Sequence, residues 1–347
     1  MALLIRAEEL AGRLDPRAVI AATEAGYREQ AAWPGFAHPR QRVFARDRRL
    51  TLHYGGAPGL AVAGVFAHYE RFAFTAEDQS YAGAARRVYV AFDSETAELL
   101  AIIVGSLPIF PIDRPGVDFG SETAITSAVG TRHLARADAR RLGLFGTGRQ
   151  ARRHLLAMAA IRPLDVVRVY SRDRAHREAF CAEMQPLVGA ELCPVAEPRD
   201  VVRGADLIVC ATGSNRPVFD GDWLEPGQHV TSIVGSNKEL VQEGLIASKR
   251  RELDDTVLRR ADVVVATLRD QAIQDEQGDL FDPVAQGALA WSRVGQLSEL
   301  VAGAVPGRTA ADQITVFKQN SDQGVGYMGL ARYVHDLARR EGLGIEV

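Results

Sequence analysis

The sequence predicts an α/β protein: a doubly wound parallel sheet plus a second, discontinuous α+β domain. Three observations predict it. From Arg141 onward, short apolar runs alternate with helical stretches, as parallel strands joined by crossover helices require. Between residues 42 and 104 the runs are short, apolar or β-branched, and punctuated by glycines, which reads as an antiparallel or mixed sheet. The chain has 347 residues, and at roughly 150 per domain that is enough for two.

The elements follow in order. Leu3-Leu4-Ile5 is a short strand, and residues 16–31 form a helix with Pro16 in its first turn, where the missing N–H costs nothing. Strands are expected at 50–54, 60–66, 88–92 and 99–104, with a tight hairpin turn over 93–98. Pro108, Pro111 and Pro115 make 105–120 a loop, ahead of a helix over 123–135. Further strands fall at 142–145, 166–170, 192–195, 207–211, 230–234, 263–266 and 314–317, with helices at 150–161, 174–184 and 198–204. These runs are nearly all apolar, as strands buried on both faces are. The tail, 326–342, is helical by the spacing of Met328, Leu330, Ala331, Val334, Leu337 and Ala338, and is expected to pack on the first domain. The predicted division is 1–125 completed by 320–347, and 126–319.

Composition excludes several functions. Forty-one basic against 44 acidic residues leave a net charge of −3, which disfavours a polybasic nucleic-acid binder and a disordered acidic chain. No apolar run approaches the roughly 20 residues that span a bilayer, and the N-terminal apolar stretch is too short for a signal peptide. Cys181, Cys193 and Cys210 form no CxxC pair and read as reduced thiols of a cytoplasmic protein. The eight histidines are scattered without ligand-like spacing, so no metal site is expected.

Gly146-Thr147-Gly148-Arg149-Gln150-Ala151 joins a predicted strand to a predicted helix in the pattern G-x-G-x-x-A. The first glycine permits the tight turn, the second lets the backbone approach a pyrophosphate, and the small Ala151 allows close helix–strand packing. Free N–H groups at the helix start would face the phosphates. This is a Rossmann-type dinucleotide site; the alternative is a purely structural glycine turn. At the end of the next strand, where an NAD enzyme places an acid, stand Ser171-Arg172-Asp173-Arg174. Arginines pair bidentately with phosphate, so NADP(H) is favoured over NAD(H). The alternative makes Asp173 the ribose acid and the arginines solvated. Thr212-Gly213 and Val234-Gly235-Ser236 end later strands, where carboxyl ends line the ligand crevice of such sheets.

With these motifs in place, the chain resembles the ornithine cyclodeaminase/μ-crystallin family. The resemblance runs through LLIRAEELAGRLD, VYVAFDSETAELLAII, ETAITSAVGTRHLARADA, LGLFGTGRQA, DLIVCATGSNRPVFDGDWLEPGQHVTSIVGSN, RRELDD and GRTAADQITVFK. It implies hydride exchange between a nicotinamide and the carbon of an amine or imine, and a homodimer paired through the non-Rossmann domain. It also implies a substrate carboxylate gripped by two arginines and a lysine. Arg42 keeps the first arginine, but Ala61 stands at the lysine position and Glu122 at the second arginine. Asn237 replaces the aspartate that cyclodeaminases carry, and an amide cannot act as a base. Losing one partner of a buried charge pair costs about 3–5 kcal/mol, roughly 10²–10³-fold in affinity, so the pocket is expected to be stripped of its usual cations.

The candidate catalytic residues are therefore His68, Glu122, Asn237 and Lys318, and the candidate substrate contacts are Arg42, His53 and Arg86. His68 is a proton donor by residue type, or a satisfied structural histidine. Glu122 would stabilise an iminium cation, or serve only as an acid at a helix start. Lys318 resembles the family's FK near the nicotinamide. Arg42 is an anion anchor or a surface arginine, and Arg86 or Arg87 a replacement anchor or an edge charge. The cofactor contacts are Gly146, Thr147, Gly148, Arg149, Gln150, Ser171, Arg172, Arg174, Thr212, Gly213, Val234, Gly235 and Ser236. An NADP(H)-dependent imine reductase or amine dehydrogenase leads this reading. A cyclodeaminase or alanine dehydrogenase with re-sited groups comes second, and a non-catalytic NADP-binding protein third.

Overall fold

The computed structural model describes residues 1–45, 48–74, 79–81, 86–114, 120–235, 238–242, 244, 246–320 and 323–347. In chain order the elements are β1 (Leu3–Arg6), α1 (Pro16–Ala32), β2 (Gln41–Ala45), β3 (Arg48–Ala57), β4 (Val62–Phe74), β5 (Gln79–Tyr81), β6 (Arg86–Phe92), β7 (Leu99–Val104) and α2 (Glu122–Leu134). They continue with β8 (Arg141–Phe145), α3 (Arg149–Ile161), β9 (Val166–Tyr170), α4 (Arg174–Met184), β10 (Glu191–Pro194), α5 (Pro198–Val202), β11 (Leu207–Cys210) and β12 (His229–Ser232). The remainder are α6 (Lys238–Gln242), α7 (Asp255–Arg260), β13 (Val263–Ala266), α8 (Arg269–Gln274), α9 (Gly278–Ala285), β14 (Val294–Gln296), α10 (Leu297–Val301), β15 (Thr315–Lys318), α11 (Gly324–Glu341) and β16 (Ile345–Glu346). Two compact units result: Met1–Phe74 with Gln79–Val129 and Ser321–Val347, and Gly130–Asn320.

The first unit is built on a mixed sheet ordered β16-β1-β7-β6-β4-β3-β2, with β5 paired to β4. β1 and β7 run parallel, and the other pairs are antiparallel. β4 runs well past the expected 60–66, because its apolar texture stops at Phe66 while the hairpin with β3 stays in register to Arg48↔Arg71. Helices α1 and α11 pack on each other, and α11 lies on β3 and β4. Their approach is close enough that a Cβ on Gly329 would meet the backbone of Ala22 and Gly26. The 93–98 turn closes as expected, with Asp93 N donating to Glu98 O and Ala97 N to Asp93 O.

The second unit is a sheet of eight parallel strands ordered β10-β9-β8-β11-β12-β15-β13-β14. Strand order reverses between β8 and β11, the switch point at which doubly wound sheets bind ligands. Phe145, Val201, Ile208, Val230, Val257, Val264 and Val316 form the core on one side. The short helices α6 to α10 carry too few turns to show a periodicity, and the sequence reading passed over them. No helix among the described residues is long and apolar enough to cross a membrane.

Candidate active site

In the second unit, β8 hands the chain to α3 through the glycine turn. Gly146 sits at φ 106°, and a Cβ there would collide with the Ala211 carbonyl, so only glycine holds this position. Gly148 is the N-cap of α3, with no side-chain cap bond. A Cβ on Gly148 would meet nothing within 4 Å, so its surroundings are open. The first N–H groups of a 13-residue helix are therefore uncapped beside open space, as a diphosphate requires. Gln150 Oε1, buried without a hydrogen-bond partner, lies in the same first turn. The Thr147 carbonyl accepts from Arg152, whose guanidinium also grips Glu183. Arg149 begins the helix, exposed.

At the end of β9, Asp173 caps α4 by accepting from His176 N at 3.1 Å. Its carboxylate is thus engaged locally. Ser171 Oγ donates to Asp173 O, Arg174 pairs with Glu178, and Arg172 is exposed. The Thr212 and Val234 strand ends converge on one carboxylate. Glu252 accepts from Thr212 N and Oγ1 through one oxygen, and from Ser232 Oγ, Ile233 N and Val234 N through the other, at 2.7–3.0 Å. Burial pushes this carboxyl up, while Lys318 and the donated N–H groups oppose the shift. Lys318 is fully buried. Its ammonium donates to Asp279 Oδ2 at 2.6 Å, Val234 O at 2.7 Å and Ser232 Oγ at 3.0 Å, which uses all three hydrogens. Asp279 in turn accepts from Glu252 N and Leu253 N. Sequence reasoning missed Glu252 and Asp279; the RRELDD string was noted only as part of the resemblance. Gly213 and Gly235 are exposed beyond these strand ends. Ser236 and Asn237 lie outside the described residues.

In the first unit, one face of the sheet carries a polar row. Register places Arg42 opposite Thr51, Thr51 opposite His68, and His68 opposite Arg87 across β2, β3, β4 and β6. Arg49 and Glu70 form the next row on the same face, and His53, Phe66 and Tyr89 the one beyond. Glu70 Oε2 accepts from Arg49 Nη2 at 2.5 Å, and its Oε1 lies 3.0 Å from His68 Nδ1. Burial alone would raise the Glu70 carboxyl, but His68 and Arg49 hold it well below the usual range. Burial pushes the His68 imidazole down against the pull of Glu70. His53 Nε2 lies 3.4 Å from His68 Nε2. Tyr327 from α11 stacks on Phe66 with centroids 4.0 Å apart.

Glu122, the first residue of α2, receives the Tyr89 hydroxyl at 2.5 Å and Arg87 Nη1 at 3.3 Å. Its charge is met inside the protein. Thr51 Oγ1 is buried without a hydrogen-bond partner. The structure thus gathers Arg42, His53, His68 and Glu122 on this face, and corrects the expectation of a pocket stripped of cations. Arg49 and Arg87 reach it from β3 and β6. Among the described residues, Arg49 pairs with Glu70 and Arg87 with Glu122 on this face. Arg86 pairs with Tyr69 of β4, and its side chain lies outside the described residues. Ala61 sits in a left-handed turn at φ 51° just before β4. Among the described residues, no cluster of His, Cys, Asp and Glu is arranged to hold a metal ion.

A parallel sheet with its glycine turn at the switch point, joined in one chain to a sheet whose face carries buried histidines and arginines, defines a dinucleotide-binding α/β protein. The chain belongs to the ornithine cyclodeaminase/mu-crystallin family, whose model matches residues 120–341. A putative dehydrogenase of Rhizobium meliloti is 35% identical over 195 residues, 56% of this chain and 55% of that protein. A Delta(1)-pyrroline-2-carboxylate reductase of Bacillus cereus is 31% identical over 226 residues, 65% of this chain and 66% of that one. The matched region spans about half the length of the first of these relatives and just under two thirds of the second. The solved Delta(1)-pyrroline-2-carboxylate reductase of Thermococcus litoralis, in complex with NADH and L-proline, shares the fold at a TM-score of 0.80 and 22% identity, over 99% of this chain and 100% of that one.

Proposed function

We propose that this protein is an NAD(P)H-dependent oxidoreductase of C–N bonds that reduces a small imine or ketimine, or oxidises the corresponding amine. The observation that carries the reading is the set of guanidinium groups, Arg42, Arg49 and Arg87, that the register brings to one sheet face together with His68. It suits a substrate with one carboxylate beside its C=N group, as the pyrroline-carboxylate relatives' names also indicate. The nicotinamide, when bound, supplies or accepts the hydride. The uncapped N-terminus of α3 and the bare backbone at Gly148 hold the diphosphate, with Gln150 and Arg149 beside it. Glu252 and Lys318 act as positioning residues that fix the Thr212 and Val234 strand ends. Arg42 and Arg87 attract the carboxylate, and His68 manages the proton. Asn237 leaves the cyclodeaminase route without its carboxylate base.

Two finer readings belong to the same proposal. NADP(H) is preferred over NAD(H), because Asp173 is occupied as a helix cap while Arg172 stands exposed beside Ser171. The protein is a homodimer. Val43, Leu50 and Tyr69 are exposed and lie opposite one another across β2, β3 and β4, an apolar row that a second copy would cover. The unpaired cysteines fit a reducing, cytoplasmic setting.

NADPH absorbance over a panel of cyclic imines, with and without a carboxylate, tests the activity. Turnover confined to the carboxylated members is expected, and none across the panel with NADPH bound defeats the reading. Ligand at 100 times Kd adds about 2.7 kcal/mol of stability, so a larger thermal shift with NADH than with NADPH reverses the cofactor preference. Gly148→Asp should keep the fold, since a side chain there meets no neighbour, while cutting NADPH affinity on the order of 100-fold by repelling phosphate.

A further inference from the structure

We propose that Arg152 is a positioning residue for the dinucleotide: its guanidinium holds two peptide units of the glycine turn so that their N–H groups face the diphosphate. This rests on the reading of that turn as the cofactor site. One Arg152 nitrogen, Nη1, donates to the carbonyl oxygens of both Thr147 and Gly148, the latter at 3.3 Å. None of the described peptide bonds is cis. In a trans peptide the C=O and the following N–H point in opposite directions. With Arg152 on the carbonyl side, the N–H groups of Gly148 and Arg149 are turned the other way. They stand at the start of α3, whose N-cap Gly148 has no side-chain cap bond.

Such a hold matters because the turn is built from glycine. Gly148 must lack a side chain for the backbone to approach a phosphate. The same lack lets its φ, −80° in this structure, swing to positive values without steric cost. The Thr147–Gly148 peptide can then flip and aim a carbonyl oxygen at the phosphate, which repels it. Arg152 favours the unflipped peptide, because only there does the Thr147 carbonyl meet a charged donor. Donors fixed beforehand need no ordering when the anion arrives. The guanidinium is itself held from its other side. Nε and Nη2 donate to the two oxygens of Glu183 on α4 at 3.0 and 2.5 Å, and Cζ stands 5.2 Å over the Phe180 ring. Four of its five hydrogens are thus used within the protein, which makes Arg152 a brace and not itself a phosphate ligand. Lysine cannot take its place, since one ammonium cannot span a carboxylate fork and two carbonyls. All of these contacts lie within the second unit.

Binding, kinetics and spectroscopy test the brace separately. Fluorescence titration with NADPH should give a Kd about 10-fold higher for Arg152→Met than for the wild type, and Arg152→Lys should recover only part of the loss. Glu183→Gln loosens the guanidinium and should raise Kd about 3-fold, whereas an arginine that contacts phosphate would bind as well or better once released. In turnover, R152M should raise KM for NADPH and leave kcat at saturating NADPH unchanged, since Arg152 touches no reacting atom. In the ligand-free protein, the Gly148 amide resonance of R152M should shift and broaden as the peptide begins to flip, while amides later in α3 stay in place. If R152M does not fold, E183Q, whose altered side chain is half exposed, carries the same three readouts. An R152M protein with unmoved NADPH affinity, or with an unmoved Gly148 amide, overturns the brace, as does an E183Q protein that binds NADPH more tightly. If the wild-type chain binds no dinucleotide, the cofactor reading falls and takes the purpose of the brace with it. The Gly148 amide of ligand-free R152M still decides on its own whether Arg152 holds the peptide.

Discussion

Two regions of this molecule bury ionisable side chains, and they do so differently. Around Lys318, every hydrogen of the ammonium meets an acceptor, and both carboxylates accept from backbone N–H groups as well as side chains. A saturated network of this kind makes one rigid arrangement and leaves nothing to offer a ligand. On the sheet face of the first unit, Thr51 Oγ1 is buried without a partner, and His53 Nε2 lies 3.4 Å from His68 Nε2. Groups left incompletely satisfied in a buried place are what a ligand can complete. The contrast separates a saturated lysine site from a sheet face with a polar atom still unsatisfied, although Lys318 and His68 both stood as catalytic candidates in the sequence.

The largest effect should come from breaking the saturated network. Lys318→Met leaves Asp279 and Glu252 without their cation, and unfolding in urea should show a loss of about 3–5 kcal/mol. A loss confined to activity, with stability unchanged, would erase the contrast. Arg87→Met should come next, destabilising by exposing Glu122 to burial without its cation and raising KM for a carboxylated imine at least 10-fold. Arg87→Met with Glu122→Gln should recover the stability and not the KM, a double-mutant cycle that separates the two roles.

The pH dependence is intermediate. Burial holds His154 at about 4 and His229 at about 3, so both are neutral in the folded protein while the unfolded chain protonates near 6.5. The unfolded state therefore binds more protons as pH falls below 6.5, and stability should drop on acidification, by about 2 kcal/mol per histidine between pH 6.5 and 5. His154→Gln should flatten that slope in thermal melts. The smallest effect belongs to Thr51→Val, which removes an unpartnered buried hydroxyl. Folding stability should hold or rise by about 1 kcal/mol, while KM for the imine rises. A clear loss of stability would show that the hydroxyl is structurally engaged.

Legibility in the sequence followed range. The glycine turn, the strands at 142–145, 166–170 and 207–211, and the tail helix were readable, because each is specified by neighbours a few residues apart. Strands β2, β5, β14 and β16 escaped, being short, and all four end a sheet or lie off its main path. Arg42, His53, His68 and Glu122 were singled out, and the structure brings them to one face. Arg86 was preferred to Arg87, because the pleat phase of β6 cannot be read from two adjacent arginines; pairing with β4 sets it, placing Arg87 opposite His68. Glu252 and Asp279 gave no local signal at all.

What the sequence by itself determined is the family, the order of the elements and the cofactor turn, since these rest on local spacing and on backbone freedom that only glycine has. The tertiary structure alone decided the charge pairing on the sheet face of the first unit. Arg49 meets Glu70 across 21 residues, and Arg87 meets Glu122 across 35. Whether a buried charge is bare or balanced depends on which distant strands pair, and that is settled only when the sheet closes its register.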